Sequence, residues 1–99
     1  MIWTQGAAED LEAIAQYIAQ DSAHYAALFA IDVLDATERL AAFPLSGRVV
    51  PEVGEATVRE LLFGSYRIVY QVQADVVSIL TVFHGARLLD TTRLRSAGR

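Results

Sequence analysis

RELLFGSYRIVYQV, residues 59–72, carries two β-rich runs on either side of Gly64-Ser65, and the reading of this hairpin decides the rest of the chain. A glycine-first dipeptide between two such runs predicts antiparallel strands joined by a type II′ turn. A two-residue turn also fixes register. Phe63 then opposes Tyr66, Leu62 opposes Arg67, Leu61 opposes Ile68, and Glu60 opposes Val69. The same logic at Ala74-Asp75 predicts a third strand over 76–84 (VVSILTVFH), with Tyr70 opposite Ile79 and Arg67 opposite Val82. One face of this meander holds Leu61, Phe63, Tyr66, Ile68, Tyr70, Val72, Val77, Ile79 and Phe83. It is the more apolar face and is expected to receive helices. The other holds Val58, Glu60, Leu62, Arg67, Val69, Gln71, Ser78, Leu80, Val82 and His84.

Upstream the period changes. Residues 2–4 read as a short opening strand, and a helix is predicted from near Gly6. Its apolar stripe is Ala7, Leu11, Ile14 and Ile18, with Glu9, Glu12, Gln16 and Gln20 opposite. Asp21-Ser22 breaks the pattern and supplies a cap for a second helix. That helix carries Phe29, Val33, Ala36, Leu40 and Phe43 on one stripe and ends before Pro44. So short a break predicts an antiparallel helical hairpin. Ile31 and Leu34 lie off the stripe. Two readings fit them: a helix wedged between its partner and the sheet, or a surface for another chain. LSGRVVPEVGEA reads as a loop from its Gly and Pro content. The fold class is α+β, a helical hairpin packed on a small antiparallel sheet in the order β-α-α-β-β-β.

Composition narrows the function classes. At 99 residues the chain reads as a single domain spanning 1–99, with the polar stretch 90–99 expected to be a frayed tail. No apolar run approaches the ~18 residues of a membrane span. The N-terminus lacks the basic start and apolar middle of a signal peptide. Zero cysteines exclude disulfides and thiolate metal sites and suit the cytoplasm. Net charge is −4, so direct, specific nucleic-acid binding is not expected. All eight cations are arginine, a residue suited to bidentate protein contacts, although a biased genome accounts for the usage equally well.

Candidate chemistry is sparse. Arg67 lies on the wetter face with Glu60 as its diagonal neighbour, an arrangement that reads as a half-exposed ion pair worth under ~1 kcal/mol. A face mixing valines and leucines with one cation also suits a groove for a partner peptide. Arg59, on the apolar face, is placed to lie over Tyr70 at the sheet end. His24 and His84 are on different elements, so no metal site is expected, and no cofactor motif is present. Glu9, Asp10 and Glu12 read as the solvated first turns of a helix.

Four stretches in order, DL..I..YI in the first helix, FPLSGRVVPE, RELLFGSYRIVYQV and ILTVFHGAR, resemble the RelE/ParE superfamily of type II toxin–antitoxin toxins. The resemblance covers about residues 3 to 89. It implies the fold just derived and two classes of target. RelE-like members are ribosome-dependent mRNA endoribonucleases that use no metal; ParE-like members bind DNA gyrase. Arg67 and Arg87 match two arginines of the ribonuclease pattern, and His84 is a further candidate there. The expected lysines are missing, with Val58 and Glu60 standing about there. Arg93 replaces the expected tyrosine. The departures favour a ParE-like toxin that inhibits DNA gyrase by binding and is neutralised by a cognate ParD-like antitoxin; the alternative is the ribonuclease. Partner contacts are expected at Ile31 and Leu34 on the second helix and at Glu60, Arg67, Val69, Val82, His84 and Arg87.

Overall fold

The computed structural model describes residues 1–85. Strand β1 (Ile2–Trp3) leads into helix α1 (Gln5–Ala19) and helix α2 (Ala23–Glu38), which tightens into a 3₁₀ turn at Arg39–Ala41. Strands β2 (Arg48–Val49), β3 (Val58–Phe63), β4 (Tyr66–Gln73) and β5 (Val76–His84) follow. The sheet runs β1-β5-β4-β3-β2, antiparallel except where β1 lies parallel to β5. The α+β arrangement is the one anticipated, enlarged by the two-residue strand β2 inside the long loop. The expected tail at 90–99 and Arg87 lie outside the described residues.

Local chemistry sets the boundaries. The Thr4 hydroxyl accepts from the Ala7 amide and caps α1, while Ser22 does the same for α2 at Tyr25. Ala7, Val33 and Leu40 are buried with Ile68, Tyr70, Val77, Ile79 and Val82, and Leu11, Ile14 and Phe29 pack against them. Phe43 departs from its predicted stripe and is 68% exposed. The 3₁₀ turn has three residues per turn rather than 3.6, so the periodicity of α2 does not carry through to residue 43.

Both tight turns occur where expected. Gly64 adopts φ +57°, the left-handed value that a type II′ turn requires at its first central residue. Ala74 and Asp75 both have positive φ, of 50° and 64°, a conformation that costs non-glycine residues energy. The β3–β4 register matches the prediction at every pair named above.

On the β5 side the prediction holds only in part. Tyr70 opposes Ile79, but Arg67 opposes Phe83 rather than Val82. The register shifts between Val69 and Tyr70, where Thr81 and Ile79 are the successive partners and Leu80 is the extra residue of a β-bulge. Beyond the bulge the facing of β5 is inverted. Phe83 joins Arg67 on the outer face, whereas Val82 enters the core beneath the helices and His84 stands beside Tyr66.

Candidate functional site

The outer face of the sheet is closed by the β2–β3 loop. Val50 and Val53 from this loop pack with Val58, Val69 and Leu80 into a second, smaller apolar cluster, flanked by Phe83. Against it sits an ionic network. Arg67 donates from Nε to Glu60 Oε1 at 2.5 Å and from its two terminal nitrogens to Glu52 at 2.7 and 2.8 Å. Arg48 donates to the other Glu60 oxygen at 2.6 Å. The Phe83 ring lies 5.1 Å from the guanidinium carbon.

The Glu60–Arg67 pair therefore forms as the hairpin register requires, but it is buried rather than half-exposed. Glu60 is 1% exposed and Arg67 9%. The surface-pair energy expected from sequence does not apply, because the loop removes water from both partners. The hydrogen bond from Arg67 is the main cause that lowers the Glu52 carboxyl from 4.5 to about 2. The same contact raises the affinity of Arg67 for its proton.

On the helix-covered side, Tyr70 fixes the start of the loop. Its hydroxyl donates to the Pro44 carbonyl at 2.8 Å and accepts from the Gly47 amide at 2.9 Å. Burial raises the pKa of this phenol, so it stays protonated as a structural donor. A Cβ on Gly47 would fall 2.6 Å from both the Tyr70 hydroxyl and the Glu60 carbonyl, so the close approach requires glycine. Arg59 does not lie over the Tyr70 ring; it donates to the carbonyls of Ala56 and Gly47, each at 2.9 Å.

A family model described as "ParE toxin of type II toxin-antitoxin system, parDE" matches residues 1–89. The chain belongs to this ParE toxin family. "Toxin RelE2" of Caulobacter vibrioides is 38% identical over 89 residues, covering 89% of this chain and 97% of that relative. As a member of the type II toxins, the chain has a cognate antitoxin as the partner its family implies.

Within this ParE-family toxin the predicted site residues do not form one surface. Ile31 and Leu34 are exposed, at 53% and 44%, on the outer flank of α2, so the helix is not wedged. Leu28 is exposed on the same helix. Glu60, Val69 and Val82 are buried and present no side chain to a partner; the first two lie under the loop and Val82 under the helices. The open groove expected around Arg67 is thus filled by the toxin's own loop. Tyr66 makes a tilted ring contact with Phe29 and an edge-on contact with His84, across the sheet from Arg67. Both also line a cleft of about 560 Å³ with Asp10, Ile14 and Tyr17.

Two functional side chains escaped the sequence. Glu52 stands in a stretch that reads only as loop, as the last residue of FPLSGRVVPE, with no chemistry indicated for it. Asp10 is not simply solvated; it accepts from the Thr81 hydroxyl at 2.6 Å and the Val82 amide at 3.1 Å, tying α1 to the bulged part of β5. Its position beside Leu11 on the edge of the apolar stripe is the one sequence signal that pointed inward. Among the described residues no cluster of His, Asp and Glu has the arrangement to hold a metal ion, and no helix is long and apolar enough to cross a membrane.

Proposed function

We propose that this toxin acts in the cytoplasm by binding DNA gyrase rather than by cutting RNA, and that a ParD-like antitoxin silences it by covering the exposed flank of α2. The state of Arg67 supports this reading. The guanidinium that matches the ribonuclease pattern is engaged by two carboxylates, which repel a phosphodiester. Metal-free RNA cleavage also needs groups to move protons. Tyr66, Tyr70 and His84, the side chains suited to that work, lie on the other side of the sheet from Arg67. An acidic chain with net charge −4 gives no general attraction to RNA.

The deciding assay sets the purified toxin against two targets. With gyrase it is expected to block supercoiling or trap cleaved DNA. Messenger RNA cut at the ribosomal A site, with gyrase unaffected, would favour the ribonuclease reading suggested by the name of the Caulobacter relative. Antitoxin contact is read separately. Ile31→Asp with Leu34→Asp should weaken antitoxin binding by roughly tenfold or more, while the stability of the free toxin changes by about 1 kcal/mol at most, ~0.5 for each exposed position. Unchanged affinity would remove α2 from the interface.

A further inference from the structure

We infer that the Arg67 guanidinium is a carboxylate-binding site whose resident ligand, Glu52, exchanges with an acidic side chain of a partner protein. The two ends of Arg67 are held in different ways. Its Nε contact goes to Glu60 on the adjacent strand, whose side chain has no solvent exposure, so that end belongs to the sheet. Its forked end points to Glu52, which sits on the β2–β3 loop with 34% of its side chain exposed.

Glu52 is positioned to leave without unravelling the fold. The loop turn closes on itself through the Val53 and Gly54 amides, which both bond to the Val50 carbonyl. Apart from a bond to its own backbone amide, the Glu52 side chain is held at Arg67. Rotation of one flexible side chain therefore opens the fork while Val50 and Val53 stay in place. Phe83 and Glu60 then keep the guanidinium plane where it was.

Charge and shape select the incoming ligand. With Glu52 turned away, Arg67 and Arg48 face the single carboxylate of Glu60, leaving one positive unit. A planar monoanion restores neutrality and fits the fork in the two-bond geometry already seen. A phosphate dianion overcharges a site that has the buried Glu60 beneath it. Directly opposite Arg67 on β3, Leu62 is 60% exposed on the same face. The matching partner thus presents an acidic side chain next to an apolar one. Tethering gives Glu52 a high local concentration, so only a ligand with additional contacts displaces it from the intact toxin.

The experiment follows the Arg67 Nε–H resonance, in a spectrum simplified by eight arginines and no lysine. Glu52→Ala is titrated with sodium acetate, with sodium phosphate at matched ionic strength, and with N-acetyl-leucyl-glutamate amide. Acetate should give a saturable shift in the millimolar range and raise the melting temperature, while wild type shows neither. The dipeptide should bind several-fold tighter than acetate and lose that advantage in a Glu52→Ala/Leu62→Ser background. Glu52→Ser, which also empties the fork but keeps a polar surface side chain, serves for the same titrations if the alanine variant is poorly folded. Absence of a saturable acetate shift, or tighter binding of phosphate than acetate, overturns the site. A dipeptide no tighter than acetate overturns the docking role. None of these readouts involves gyrase, so they stand apart from the assay of the target.

Discussion

Ile68 and Val69 are neighbours on β4 and both are fully buried, yet their covers differ in kind. Ile68 lies under two amphipathic helices and the 3₁₀ turn that follows them, which contribute Ala7, Val33 and Leu40. Val69 lies under a loop whose apolar contribution is Val50 and Val53. A helix presents an apolar side chain every three or four residues, and packing alone seats it. A loop with two valines buries less apolar area, and its seat is completed by the Val50 amide bonded to the Val58 carbonyl. Directional bonds among Arg67, Glu60, Glu52 and Arg48 add to that seating without being its only support. Buried ion pairs add little net stability over a well-packed apolar substitute, but they are costly to leave half made.

This contrast can be broken most severely at its ionic side. Arg67→Ala leaves the buried Glu60 carboxylate with Arg48 as its one remaining cation and should cost about 3 kcal/mol in denaturant unfolding. A loss below ~1 kcal/mol would mean that water reaches Glu60 and that the outer face is not sealed by the loop. The same loss makes Arg67→Ala unsuitable as a simple probe of catalysis. Tyr70→Phe leaves the core volume intact but removes the partner of Gly47 and Pro44, and should cost about 1–3 kcal/mol. A negligible change would show that the loop start is held without the phenol.

Acid sharpens the comparison further. The folded-state pKa of Glu52 is about 2, below its unfolded value of 4.5, so its contribution is complete above that value and is lost as pH falls from 4.5 to about 2. With a third of the side chain exposed, screening limits the effect to about 1 kcal/mol. Urea midpoints at pH 6 and pH 3 should fall more for wild type than for Glu52→Gln, and equal losses would contradict the pairing. The smallest effect lies away from either cover. Ala74→Gly relieves a positive φ and should raise stability by about 0.5–1 kcal/mol in thermal melts.

The sequence disclosed the β3–β4 hairpin well, because Gly64-Ser65 permits one tight turn and that turn fixes each cross-strand pair. The capped helical hairpin was equally visible through Ser22 and the spacing of Ala7, Leu11 and Ile14. The slip in β5 was hidden for a physical reason. Ile79-Leu80-Thr81-Val82-Phe83 is apolar at four of five positions, so either facing satisfies the pattern. The outer cover was hidden because an irregular loop has no period to read. Arg67 and Glu60 could be placed on one face, but nothing in the alternation reported that residues 50–53 fold back over them.

The extra residue in β5 gives that strand a change of parity at Leu80. Even-numbered and odd-numbered positions exchange sides there, and the exchange delivers an aromatic ring, rather than a valine, to the guanidinium of Arg67. Any redesign that shortens the strand by one residue at that point would leave its backbone paired along much of its length while presenting the wrong set of side chains to both layers.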